Sequence, residues 1–180
     1  MDVEKISVWK KKNYEGDTIY LKPIDIDDIQ FIVDMRNQER SRYYLNQAAD
    51  STVESQTKWF MNYEPRSDDI YWIYCDKKTN RRLGTIRLYN MKANECEIGS
   101  STADLSIKDS FFSFMEAHSL ALKFANEELL MKKMHVDTRT DNKFVDVVLR
   151  RLGFEFKKII DIRGVDYNYY ELFFNQIDNA

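Results

Sequence analysis

The chain has 180 residues, with 27 Lys and Arg against 30 Asp and Glu, for a formal net charge of −3. That length holds one core rather than two ordinary domains, and the slightly acidic balance argues against a dedicated nucleic-acid binder with its basic face. With 43% hydrophobic and 32% charged residues the composition is that of a soluble globular chain, and charges interrupt every apolar run before it could span a membrane.

Residues 18–22 alternate apolar and polar side chains and stop at Pro23, as a strand does. The acidic Asp25, Asp27 and Asp28 precede Ile29, Ile32, Val33 and Arg36 at helical spacing, so a helix is expected to start there. Ser51 with Glu54 three residues later predicts a capping box, opening a second helix that runs to Tyr63 before Pro65. Residues 70–75, 83–89 and 95–101 read as three strands joined by short polar turns, an antiparallel meander. The period then changes. Phe111, Phe114, Met115, His118, Leu122 and Ala125 recur at three- and four-residue steps, which predicts a long helix over 109–130. A strand at 134–138 and a helix at 142–152 follow, the helix with Val145, Val148, Leu149 and Leu152 as its apolar stripe. Gly153 stands where a left-handed C-cap residue belongs. Residues 154–162 and 168–174 read as two last strands about a turn at Gly164.

The order β-α-α-β-β-β-α-β-α-β-β implies an α/β chain with one mixed, largely antiparallel sheet and helices on both faces. The strands at 95–101 and 134–138, joined by the long helix, are expected to run parallel with a right-handed crossover. Residues 1–180 read as one domain, with 1–16 as an N-terminal extension, and Lys10, Lys11 and Lys12 as a solvated face. The start of the chain is acidic and lacks an apolar core, so no signal peptide is expected. Cys75 and Cys96 are too few for a disulfide framework and suit a reducing cytoplasm; with two histidines they leave little for a metal site. His118 reads as a satisfied core histidine and Cys96 as a small buried apolar residue. The five glycines limit any phosphate loop.

Three stretches carry a resemblance. They are Arg82-Leu83-Gly84-Thr85-Ile86-Arg87-Leu88, Glu97-Ile98-Gly99, and Thr140-Asp141-Asn142-Lys143 with Arg151-Leu152-Gly153-Phe154. In register with the element order, they resemble the GNAT (GCN5-related N-acetyltransferase) superfamily over about residues 17–175. Met35-Arg36-Asn37, with Gln56, Trp59 and Phe60, is similar to the branch that acetylates amino-sugar nucleotides.

The resemblance implies an N-acetyltransferase that uses acetyl-CoA as cosubstrate and no metal. Its acceptor would be a primary amine of a small molecule, an amino-sugar nucleotide first. A protein N-terminus, or a GNAT-like interaction module that has lost CoA binding, stands as the alternative. No nucleic-acid or membrane partner is implied, the cytoplasm is the expected location, and the aromatic end at 167–174 suits either an acceptor pocket or a homodimer contact.

By the same resemblance the central strand splays from its parallel neighbour. The donor's pantetheine arm would lie there against Ile98, Ser100 and Thr102, with Asn142 contacting it or capping its helix. The pyrophosphate would meet the next helix's N-terminus at Lys108, Ser110 and Ser113, in a loop that contains no glycine where the family usually has the form Arg/Gln-x-x-Gly-x-Gly/Ala. Glu97 stands where the family often places a carboxylate near the acceptor amine, with Glu95 as rival, because an ammonium must lose a proton before it can attack. Arg36, Asn37, Trp59 and Tyr89 are the acceptor-binding candidates; each also has an ordinary structural explanation, as helix end or sheet aromatic. Leu149 stands where many members have a tyrosine that protonates the leaving thiolate.

Overall fold

A computed structural model describes residues 3–104, 106–107 and 110–174. In chain order these form α1 (Val3–Trp9), β1 (Tyr14–Glu15), β2 (Ile19–Pro23), α2 (Ile29–Asn37), α3 (Glu39–Tyr44), α4 (Val53–Tyr63), β3 (Ile70–Asp76), β4 (Arg82–Tyr89) and β5 (Glu95–Ala103). Then come α5 (Ser110–Glu127), β6 (Lys133–Arg139), α6 (Lys143–Arg151), β7 (Glu155–Ile162) and β8 (Val165–Phe173). The strands make one sheet in the order β1-β2-β3-β4-β5-β6-β8-β7. The β5–β6 pair is parallel, and the other neighbours are antiparallel.

Every element expected from the sequence is present, and α1, β1 and α3 are added to them. The N-terminal segment packs into the fold. Ile6 is fully buried, and the Trp9 and Tyr14 rings meet Phe124 edge-on at 5.0 and 5.3 Å. Lys10 departs from the solvated face expected of it. Its Nζ donates to the carbonyls of Tyr63 (2.8 Å) and Arg66 (2.7 Å), capping the end of α4. The capping box of α4 is also shifted by one residue: Thr52, not Ser51, is the N-cap, and its partner is Ser55, not Glu54. A hydroxyl at Ser55 can return the bond to the Thr52 amide as a carboxylate would.

The sheet separates two apolar layers. On one face α5 lays Phe114, Ala117, Ala121, Phe124 and Ala125 against Trp72, Ile86, Cys96 and Met134. On the other, Ile29, Ile32 and Val33 of α2 and Phe60 and Tyr63 of α4 cover Tyr71, Ile73 and Cys75. Each large aliphatic side chain buried in this way contributes about 1.5–3 kcal/mol. Tyr71, Trp72 and Tyr74 are therefore core residues. Gly84 marks a close approach. A Cβ there would strike the Thr102 carbonyl and the Tyr74 hydroxyl, so β4 and β5 meet as closely as they do only with glycine at this position.

Candidate active site

The sheet opens at one place. β5 and β6 pair only over Glu95–Lys133, Cys96–Met134 and Glu97–His135, and beyond that step β5 has no ladder partner on the β6 side. A bulge in β5 contributes to the parting. Between the Thr85–Thr102 and Arg87–Gly99 pairs, β4 advances two residues while β5 advances three. Within that bulge Ser100 takes the left-handed conformation, φ 49°, in a residue that is not glycine. Such backbone costs on the order of 1 kcal/mol or more and persists where the surroundings hold it.

The opening is continuous with cavities on both of its sides. Ile98, Ser101, Phe114, His118, Asn142 and Leu149 line the donor-side cleft, and Thr102, Arg40 and Phe144 extend it. Asn142 is buried, and its Oδ1 accepts the Val145 amide at 3.4 Å, so it caps α6 and faces the cleft at once. His118 is buried with both ring nitrogens engaged. Its Nδ1 meets the Phe114 carbonyl at 2.9 Å, and its Nε2 lies 3.2 Å from the Ser101 hydroxyl. Burial pushes its pKa down to about 4, so it stays a neutral imidazole. Cys96 is buried and its thiol is pushed up to about 12 by that burial, which makes it inert as a nucleophile.

On the acceptor side lies a cavity of about 300 Å³ with Tyr89, Gly99, Ser100, Asp137, Arg163 and Tyr167 in its wall. Gly99 leaves room for Tyr89: a Cβ there would lie 2.9 Å from the Tyr89 hydroxyl. Glu97 is held by two donors, the Tyr89 hydroxyl and Asn90 Nδ2 at 2.9 Å, and His135 Nε2 lies 3.7 Å from it. Burial raises its carboxyl, but His135, Tyr89 and Asn90 together outweigh that, and it sits below the ordinary value. Asp137 is the opposite case. Burial, and then the charge of Glu97, push its carboxyl up.

Sheet register puts Arg87, Tyr89, Glu97, Gly99 and His135 on the face that carries α2 and α4, because paired residues share a face. There Trp59 stacks on Tyr63 at 5.1 Å, and the Arg87 guanidinium lies 4.9 Å from its ring and 4.8 Å from that of Tyr89. Arg87 in turn forks onto the fully buried Asp69, Nε to Oδ1 at 2.7 Å. Trp59 and Tyr89, both singled out in the sequence, are thus joined through Arg87.

Arg36 and Asn37 end α2. Asn37 is occupied by structure: its Nδ2 donates to the Ser51 carbonyl and its Oδ1 accepts the Ser51 amide, both at 2.8 Å, tying the loop after α3 to α2. Ser110 and Ser113 stand at the start of α5, and Ser113 Oγ donates to the Ser110 carbonyl at 3.2 Å. Lys108 lies outside the described residues. Two features of the site had no signal in the reading of the chain. One is α3, whose Tyr44 borders both cavities; α3 is pinned by Tyr43, whose hydroxyl bonds Asp141 and accepts from Arg139 at 2.8 Å. The other is Asp137, whose place two residues past His135, on the same face of β6, was the available clue.

Residues 18–155 match the acetyltransferase (GNAT) domain family. The chain belongs to the GNAT acetyltransferase family, and the mixed sheet with its parted parallel pair is that family's fold. Among solved structures, apo FdhC, a nucleotide-linked sugar GNAT, is similar at 21% identity and a TM-score of 0.77, covering 90% of each chain. The spermidine N-acetyltransferase from Vibrio cholerae, in complex with CoA and spermine, is similar at 13% identity and 0.78, covering 88% of this chain and 96% of that one. A probable acetyltransferase from Chromobacterium violaceum follows at 18% and 0.75, covering 89% and 85%. No curated protein matches in sequence.

Proposed function

We propose that the chain is an N-acetyltransferase that moves an acetyl group from acetyl-CoA to a primary amine of a small molecule. The observation that carries this reading is the parted β5–β6 pair, which leaves the β5 edge from Ile98 to Ala103 free to bond an extended amide-bearing arm as a strand would. Asn142 stands across that edge, and Ile98, Ser100 and Thr102 supply its backbone. The anionic end of the donor would take the amides at the start of α5, with Ser110 and Ser113 beside it. When bound, the donor supplies an activated thioester. Backbone amides of the β5 bulge polarise its carbonyl, and a carboxylate beside the opening, Glu97 or Asp137, accepts the amine's proton. Leu149 leaves no hydroxyl at its own position, so departure there relies on a thiolate being a good leaving group.

The acceptor favoured is an amino-sugar nucleotide. The stretch at Met35-Arg36-Asn37 and the fold likeness to a nucleotide-linked sugar GNAT support it, and the likeness to a spermidine N-acetyltransferase puts a polyamine next. The glycine-free loop at 108–113 and Leu149 favour a second reading, a binding module without CoA. Release of the CoA thiol, followed with a nucleotide-linked amino sugar, spermidine and a peptide N-terminus as acceptors, separates them. Amine-dependent thiol release is expected; none with any acceptor supports the module.

A further inference from the structure

We infer that Asp137 is the carboxylate that receives the acceptor's ammonium and takes its proton, while Glu97 works through Tyr89 and His135 as a positioning residue. The inference rests on the acetyltransferase reading above and assigns its base.

Two observations carry it. The donor-side cleft and the acceptor-side cavity share a small set of wall residues, Tyr44, Leu45, Gly99, Ser100 and Asp137. Asp137 is the carboxylate among them, so it stands where an attacking nitrogen and a thioester carbonyl would meet. It also has no hydrogen bond or ion pair from another side chain among the described residues, whereas both carboxylate oxygens of Glu97 accept a hydrogen bond, from Tyr89 and from Asn90. A carboxylate whose lone pairs are already engaged is a poor receiver for an ammonium; one open to the cavity is a good one.

Local structure explains the difference. Asp137 is two residues past His135 on the same face of β6, opposite Gly99 of β5 across the widening gap. Gly99 brings no side chain to fill the space, and the bulge at Ser100 carries β5 away. Arg163, at the turn between β7 and β8, is the cationic residue in the same wall. The cavity is thus bipolar, with a carboxylate at its inner end by the donor cleft. That polarity suits an amine that also carries an anionic group.

The step balances. The ammonium gives one proton to the Asp137 carboxylate, and the freed nitrogen pair forms the C–N bond to the thioester carbonyl. The C–S bond breaks, the thiolate leaves, and the second N–H proton goes to that thiolate. Asp137 then returns its proton to water. The groups facing Asp137 are Glu97 of β5, Tyr89 of β4, His135 on its own strand, Tyr167 and Tyr169 of β8, Arg163 at the β7–β8 turn and Tyr44 of α3. Burial and Glu97 raise its pKa, which moves the acid limb of activity up from where an ordinary aspartate would put it.

The test compares the wild type, Asp137→Asn and Glu97→Gln. Each is assayed for thiol release against pH and for melting with and without acetyl-CoA. Asp137→Asn should lose about 10²-fold or more in kcat/KM and lose the acid limb, yet keep the acetyl-CoA melting shift. Glu97→Gln should lose about tenfold and keep the limb. Wild-type-like activity in Asp137→Asn, or loss of its melting shift, overturns the role of Asp137 and leaves the acetyltransferase reading standing. A wild type that neither shifts with acetyl-CoA nor acetylates any amine overturns both.

Discussion

Glu97 of β5 and His135 of β6 face each other across the last paired step of the parallel strands, Oε2 to Nε2 at 3.7 Å, and beyond them the two strands part. The pair closes the ladder on one side and, through the Tyr89 hydroxyl, sets one wall of the acceptor cavity on the other.

Replacing Glu97 by Gln therefore disturbs a hinge point of the site. A bond from a neutral donor to a carboxylate is worth about 1.5–3 kcal/mol, and Gln keeps a single acceptor oxygen. We expect a stability loss of about 1–2 kcal/mol at neutral pH by urea unfolding. Because the folded pKa of Glu97 is lowered, its contribution is present above the ordinary carboxylate value and is lost as pH falls through the folded one. The wild type and Glu97→Gln should accordingly converge in stability in acid. A constant gap down to pH ~3 would contradict this assignment.

His118 gives a pH dependence of its own. Its folded pKa is depressed to about 4 by burial, so the unfolded chain takes up the proton first as pH falls below about 6.5. Stability should drop as pH falls, by at most about 1.4 kcal/mol per unit and by about 1.5 kcal/mol between pH ~6.5 and ~5. Unfolding of the wild type and His118→Leu across that window reads it directly. The variant should lose most of the slope; an equal slope in both would show that His118 is not its source.

The Arg87–Asp69 fork is a buried charge pair, with Asp69 fully buried and a further contact to Arg66 at 3.5 Å. Arg87→Met leaves that buried carboxylate only the longer Arg66 contact and should cost about 3–5 kcal/mol. The double variant Arg87→Met with Asp69→Asn should recover a large part of the loss, since neither charge then remains. Additive losses in the double-mutant cycle would mean that the pair is not coupled as the geometry indicates.

The elements were legible in the chain because each carries a period or an apolar run bounded by polar turns. β3 is a continuous aromatic-rich run between polar turns, α5 repeats at three and four, and Gly153, at φ 88°, ends α6 as its position suggested. What escaped is long-range or local in a way composition does not mark. The cap of α4 was displaced by one residue because Ser51 and Thr52 are adjacent and both are N-cap residue types. The bulge at Ser100 uses a left-handed serine where glycine would have announced it. Asp137 looked like any polar strand residue, and its place matters only because the strand opposite it departs. Of the site residues read from the sequence, Ile98, Ser100, Thr102, Asn142 and Tyr89 come together around the opening, while Arg36 and Asn37 sit at the end of α2.

The central claim is that the opening between β5 and β6 receives acetyl-CoA, and thermal unfolding with and without acetyl-CoA at about 1 mM tests it most directly. A donor at about 100 times its dissociation constant should stabilise the fold by about 2.7 kcal/mol. Asn142→Ala should weaken that shift as well as costing about 1 kcal/mol of cap, whereas Asn142→Asp should keep the cap. A clear rise in melting temperature is the predicted result. An unchanged melting temperature at millimolar acetyl-CoA would contradict the account.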